Sequence, residues 1–214
     1  MKSPRTPNTT SVNQSEQALP PIDFVAQGSY SINNPDSSPP QETWHAANFS
    51  LGKHHQLISA DGVEDIRSHS LALVQQAQRS LCIYSSDLEG WLYNHSSMQQ
   101  ACSSFLLANP KNTLRILVQD TSTMTREGHL LLALHRRLSS RCSIRKVNLN
   151  YDYSDQHWLI ADDCGLLTRT AQEPYQGTVH YYNPNPARVL QNQRLFNAMW
   201  DVSLSDVNLR SMLL

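Results

Sequence analysis

The residues able to do chemistry are nine histidines, 18 Asp and Glu and four cysteines among 214 residues. Metal binding is the first chemistry such a set raises, and the spacing argues against it. His54 and His55 are adjacent, so on a strand they point to opposite faces. His129 and His135 are six apart, which does not share one helical face. No H-E-x-x-H and no C-x-x-C occurs, so no metal and no cofactor is expected. The chain has seven glycines, none arranged as a phosphate-binding loop. What remains is carboxylate and histidine chemistry at the ends of strands. In open α/β sheets ligands bind beyond the carboxyl ends of the strands. That rule selects Asp87, Gln119, Asp120, Asp155 and Asp162. His129, at a predicted helix start beyond Asp120, adds a general base on the same rim. Asp also favours turns and caps, so each carboxylate has a structural role as its alternative.

The elements that must position these residues alternate between strand and helix. Phe49–Ile58 reads as an edge strand. Asp61 and Glu64 fit a capping box, opening a helix to about Arg79 with Val63, Ile66, Leu71, Leu73, Val74 and Ala77 as its apolar stripe. Leu81–Asp87 is a short continuous apolar run, as in strands covered on both faces. Met98–Ala108 is a helix stopped by Asn109-Pro110. Leu114–Asp120 is the clearest strand, Thr121–Thr125 a polar loop and Gly128–Leu138 a helix. Strands follow at Ser143–Asn148, His157–Ala161 and Leu166–Arg169, the last two joined by a turn at Asp162–Gly165. Asn185-Pro186 opens a final helix with Asn at N-cap and Pro at N1. There Phe196 and Trp200, four apart, read as core. The alternation predicts an α/β sandwich with a mixed, largely parallel sheet.

Residues 1–43 differ. Seven of the eleven prolines fall there, among Ser, Thr, Asn and Gln. Such a stretch buries too little apolar surface to offset its chain entropy, which predicts a disordered tail with one apolar piece, Ile22–Val25, able to dock transiently. The folded domain is then 44–214. Net charge is −1, which does not indicate a globally basic nucleic-acid binder. Charge is uneven, however: Arg126–Lys146 holds Arg126, Arg136, Arg137, Arg141, Arg145 and Lys146 against Glu127 alone, a stretch able to hold phosphates or to be a solvated face. The loop that follows is acidic, with Asp152, Asp155, Asp162 and Asp163. Apolar runs fall far short of the ~20 residues that span a bilayer, and the first residues have no secretory h-region. Cys82, Cys102, Cys142 and Cys164 are widely spaced; Cys82 and Cys102 sit in apolar runs as buried thiols. A cytoplasmic location is expected.

The order of elements and their local sequence resemble one half of a phospholipase D-like fold. The matching pieces are ALVQQAQRSLCIYSSDL, NTLRILVQD, GHLLLALHRRL, SIRKVN, QHWLIADDCGLLTR and ARVLQNQRLFNAMWDVS, over roughly residues 60–205. DLEGWLYN and RILVQD also resemble an uncharacterised bacterial branch of that superfamily, found alone or after an acetyltransferase domain. The resemblance implies H-x-K-x-x-x-x-D chemistry: a His attacks phosphorus, the second half supplies a His as general acid, and the Lys stabilises phosphoryl oxygens. Two registers are possible. With His157 in the His place, Leu159 stands for Lys and Cys164 for Asp. With Asp162 in the Asp place, His157 stands for Lys and Asp155 for His; this register puts Asp162 at a strand end and is preferred. Neither keeps the triad, so the usual hydrolysis is not expected.

Three readings follow. The first is a catalytically degenerate phospholipase D-like domain that binds a phosphate-bearing ligand or a protein, through Asp87, Gln119, Asp120, His129, Arg137, Asp155, His157, Asp162 and Arg169. The second is a divergent phosphodiesterase or nuclease in which Asp87, Asp120, His129 and Asp162 meet, with or without a divalent metal; Asp120, His129, His157 and Asp162 are its catalytic candidates. The third is a nucleic-acid-binding accessory protein using Arg126–Lys146. A homodimer fits all three, because active relatives join two halves across a pseudo-twofold axis. The branch resemblance adds an acetyltransferase-type partner.

Overall fold

Leu81–Tyr84 is apolar at four consecutive positions, so both faces of that strand can meet only core. The computed structural model describes residues 42–148, 155–182 and 187–209, and places this strand inside a seven-stranded sheet. In chain order the elements are β1 (Ile58–Asp61), α1 (Val63–Gln76), β2 (Ser80–Ser85), α2 (Gly90–Tyr93), α3 (Ser96–Ala108), β3 (Thr113–Val118), α4 (Ser122–Arg126), α5 (Leu130–Arg137), β4 (Cys142–Lys146), β5 (Gln156–Ala161), β6 (Gly165–Thr170), β7 (Gln176–His180) and α6 (Ala187–Asp201), then a 3-10 turn at Val207–Leu209. All described residues lie in one compact unit beginning at Pro40. The expected tail, the Ile22–Val25 piece, Asp152 and the Asn185-Pro186 cap lie outside the described residues, apart from Glu42 and Thr43 at the tail's end.

The strand order is β1-β7-β6-β5-β2-β3-β4. Parallel pairing joins β2, β3 and β4 only. The contacts β2–β5, β5–β6, β6–β7 and β7–β1 are antiparallel. The α/β sandwich with a mixed sheet is as expected, with a smaller parallel share than the alternation of strand and helix suggests. The reason is local: no helix separates β5, β6 and β7, so hairpins, not crossovers, join them. β7 itself is hidden in sequence, because Gln176-Gly177-Thr178 carries little apolar signal.

Side chains alternate across the sheet. Leu81 and Ile83 of β2, Leu159 and Ala161 of β5 and Leu167 of β6 join one core under α1, α3 and α5. Cys82, Tyr84, Trp158, Ile160 and Leu166 point the other way, against Val189, Phe196, Met199 and Trp200 of α6. Phe196 and Trp200 are core, as their spacing predicts. Cys82, Cys102 and Cys142 are buried and Cys164 half-buried, all as free thiols; burial pushes the Cys142 thiol up to about 12.

Three local expectations are corrected. Asp61 does not cap α1: it belongs to β1, paired with Gln176, so its backbone is still in the ladder where a cap would be needed. Gly62 takes the cap position without a side-chain bond, and Glu64 pairs instead with Arg67 at 3.0 Å. The edge strand is only Ile58–Asp61, the preceding residues 51–53 being a turn. Thr121–Thr125 is not a loop but most of α4, since the Asp120 carboxylate accepts the Ser122 N–H and hydroxyl at 3.1 and 2.7 Å and starts the turn. Among the described residues no helix is long and apolar enough to cross a membrane.

Candidate functional site

The layer that pairs Ile83, Leu159, Leu167 and Val179 across β2, β5, β6 and β7 is apolar. Two residues further towards the carboxyl end of β2, the same face turns polar. His157 and Arg169 are direct cross-strand partners, and Ser85 ends β2 beside them. Gly177 stands opposite Arg169. A Cβ on Gly177 would sit 2.8 Å from Arg169 Cγ and 2.9 Å from the Thr168 carbonyl, so glycine there makes room for the arginine stem.

The carboxylate that answers these groups comes from the turn after β2. Leu88 and Glu89 have φ of 64° and 21°, a left-handed backbone costly for residues with a Cβ. The turn is held at both ends. Asp87 Oδ1 accepts the Glu89 N–H at 3.0 Å, and His129 Nε2 donates to the Leu88 carbonyl at 3.2 Å. This reversal aims Glu89 back over the sheet. Arg169 meets it with a two-pronged pair, Nη1 to Oε1 at 2.9 Å and Nη2 to Oε2 at 2.5 Å, the strongest geometry available to guanidinium and carboxylate. Ser85 Oγ donates to Oε2 at 3.2 Å. His157 Nδ1 lies 3.1 Å from Oε2, a close contact but not an aligned hydrogen bond. His157 Nε2 is buried with no partner. Arg169 also donates to the Pro174 carbonyl at 2.9 Å, and the Tyr93 hydroxyl is close enough to favour its charge. Above it lies the Trp91 ring, 5.3 Å from the guanidinium carbon, edge-on to Tyr175 at 5.0 Å.

Glu89, His157 and Arg169 are 7, 4 and 3% exposed. Burial on its own would raise the Glu89 carboxyl, but the contacts from Arg169 and His157 outweigh it and hold the group at about 2. Burial likewise opposes the Arg169 charge, and its contacts with Glu89 and Tyr93 reverse that, raising it above its ordinary value. Burial pushes the Tyr93 hydroxyl up. At neutral pH the centre is thus an anion held by fixed cationic and hydroxyl donors.

The other sequence candidates fall elsewhere. His129 is fully used: its Nδ1 accepts the Leu131 N–H at 3.1 Å, capping α5, while Nε2 serves Leu88. Burial lowers its pKa to about 4, so it has no lone pair left for a general base. Gln119 donates to the Tyr84 hydroxyl at 2.8 Å on the opposite face. Asp120 is exposed, and the Ser122 hydroxyl and N–H lower its pKa. Asp155 is exposed at the start of β5, its carbonyl accepting from Ala171. Asp162 is at the far rim, because β5 runs antiparallel to β2 and ends where β2 begins. There it accepts the N–H groups of Gln78, Arg79 and Ser80 at 2.9, 2.7 and 3.0 Å. Asp87, Asp120, His129 and Asp162 therefore do not converge. Among the described residues no three His, Cys, Asp or Glu are grouped to hold a metal. The basic stretch disperses too. Arg126 pairs with Glu127, Arg137 reaches Ser103, Arg136 and Arg141 bind the carbonyls of Leu209 and Leu106, and Arg145 lies over Trp200.

Of the sequence candidates the structure brings His157 and Arg169 together, beside Glu89, Ser85 and Tyr93, which were not among them. A signal was present: Glu89 is a single charge inside Leu88-Glu89-Gly90-Trp91-Leu92, where an apolar flank demands a buried partner.

The sheet order and the helix covering one face build a phospholipase D-like α/β fold. Solved structures agree. The archaeal chromatin protein TrmBL2, described as showing a novel mode of DNA binding, has a TM-score of 0.53 at 12% identity over 72% of this chain and 55% of its own. This chain thus spans about half of that protein. NucT from Helicobacter pylori has a TM-score of 0.51 at 12% identity, over 71% of this chain and 100% of its own. Nuc from Salmonella typhimurium, a phospholipase D family member, has 0.51 at 14% identity, over 73% and 99%. No curated protein matches the chain in sequence. The family model of the domain of unknown function DUF7931 matches residues 62–212, and the chain belongs to that family.

Proposed function

We propose that this domain is a phospholipase D-like module with a degenerate catalytic motif, which binds a phosphate-bearing ligand without hydrolysing it. The supporting observation is how the candidate groups are used. His157, at the position the resemblance gives to the lysine, is buried against Glu89. Asp155, at the nucleophile position, is an exposed carboxylate. Asp162 is spent on three backbone N–H groups. A phosphoryl-transfer site needs a free nucleophile and a cation facing the phosphoryl oxygens; in this register the residues offer neither, and with His157 in the His place Leu159 and Cys164 leave it without the Lys and Asp. What the rim does hold is a buried arginine in a two-pronged pair, the geometry that recognises carboxylate and phosphate alike. The DNA-binding description of one structural neighbour makes a nucleic-acid phosphate a reasonable probe.

The test is fluorescence anisotropy of an end-labelled single-stranded oligonucleotide at low salt with Mn²⁺, followed over time. The reading expects a stable rise that weakens steeply with added salt. A slow fall below the starting value means cleavage and overturns it. A flat trace removes the nucleic-acid phosphate as the ligand.

A further inference from the structure

We propose that Arg169, His157 and Ser85 form a latent oxyanion site whose present occupant is the protein's own Glu89 carboxylate, and that the turn Leu88–Trp91 is the latch that an incoming phosphate group displaces. This deepens the binding reading above and rests on it for the identity of the ligand.

The donors have the arrangement of a bound-anion site. Two guanidinium N–H groups and the Ser85 hydroxyl converge on one carboxylate, with the His157 ring beside it. The donors belong to rigid strands, β2, β5 and β6, and Gly177 opens the space they need. The carboxylate alone comes from a turn. His157 Nε2, 96% buried by its 4% exposure, has no partner while Glu89 is in place. A carboxylate has two oxygens and both are engaged; a phosphate has a further acceptor to offer that nitrogen.

The latch has the features of an element that can leave. Leu88 and Glu89 both have positive φ, and the next residue, Gly90, carries no side chain. Strain of this kind persists only where surrounding contacts hold it. Here those contacts are Asp87 Oδ1 and His129 Nε2, the Arg67 guanidinium donating to the Trp91 carbonyl at 3.1 and 3.0 Å, and the Leu88 side chain buried in the core. Glu89 is the N-cap of α2 and Trp91 its second residue, so one movement of that helical turn withdraws the plug and the aromatic roof over Arg169 together. Charge stays balanced: the incoming anion replaces the carboxylate on Arg169, and Glu89 passes to solvent. A buried arginine is never left unpaired, which would be the costly alternative.

The test uses the full chain and inorganic phosphate. Glu89→Gln keeps the side-chain shape and removes the charge that fills the site. Its thermal midpoint should rise saturably with phosphate, with half-saturation on the order of 1 mM, against chloride at equal ionic strength. Wild type should respond far less, because phosphate must first displace Glu89. Adding Arg169→Gln to that variant should abolish the response. No phosphate-specific rise in Glu89→Gln overturns the proposal. Should the variant not fold, wild type decides: amide exchange over Leu88–Tyr93 should quicken in 100 mM phosphate relative to chloride, and unchanged exchange overturns the latch. If wild type holds the labelled oligonucleotide while Glu89→Gln ignores phosphate, the latch fails and the binding reading stands. If neither ligand binds, both fail.

Discussion

Two carboxylates sit at opposite rims of the sheet, each satisfied by three or more partners, in opposite ways. Asp162 is solvated by backbone: three N–H groups at the start of β2 close on it. Glu89 is held by side chains, Arg169 and Ser85 by hydrogen bonds with His157 beside them, and is nearly buried. Backbone donors come with the chain's course and ask only for an acceptor at the right place. Side-chain donors with net charge leave a buried ion behind when the partner is removed. The first arrangement is what a structural turn needs. The second stores interaction free energy that another anion could use.

The comparison breaks most sharply at Arg169. Arg169→Met should destabilise the fold by about 3–5 kcal/mol in urea denaturation, since Glu89 is then buried without its cation. Adding Glu89→Leu should recover most of that loss, because an apolar pair of similar volume often matches a buried ion pair. No recovery would mean that the turn, not the charge, carries the effect.

Acid should weaken the two ends of the site in order. His129 is held neutral, with a pKa of about 4 against an ordinary 6.5. Between those values the unfolded chain binds the proton and the folded one does not, so stability falls as pH drops from 6.5 to 4, by at most about 3 kcal/mol. Glu89 is held at about 2 from an ordinary 4.5. Its contribution is present above 4.5 and is lost as pH falls towards 2. A denaturation series over pH 2–8 should show the first loss disappear in His129→Gln and the second in the Glu89→Leu, Arg169→Met pair.

Gly177→Ala should cost about 1–3 kcal/mol by crowding the Arg169 stem, as overpacked sites do. At the other rim, Asp162→Ala should cost about 1–2 kcal/mol, as lost caps do. Asp162→Asn should cost under about 1 kcal/mol, because one oxygen and tolerance of its φ of 55° remain. The smallest effect belongs to the basic stretch: Arg137 is exposed and bonded only to Ser103, so Arg137→Ala should stay within about 0.5 kcal/mol.

Much of this was legible in the residues. Apolar runs at Leu81–Tyr84 and Leu114–Val118 mark the central strands, and Phe196 with Trp200 marks the helix that covers one face. The missing parts have physical causes. Strand direction is not written in a strand's own residues, so the antiparallel sense of β5 placed Asp162 on the opposite rim from Asp87. β7 is polar and glycine-containing, and becomes a strand only because β1 and β6 flank it. Glu89 reads as a loop residue, and only the positive φ of Leu88 and Glu89 turns it inward. His129, a general-base candidate by type, is a cap by geometry.

In its proposed role His157 serves a plugged anion site and not a catalytic one. That role is tested most directly by phosphodiester turnover of bis(p-nitrophenyl) phosphate, with wild type and His157→Ala measured side by side. Rates at the buffer background are expected for both. Turnover by wild type that vanishes in His157→Ala, with the variant folded, would contradict it.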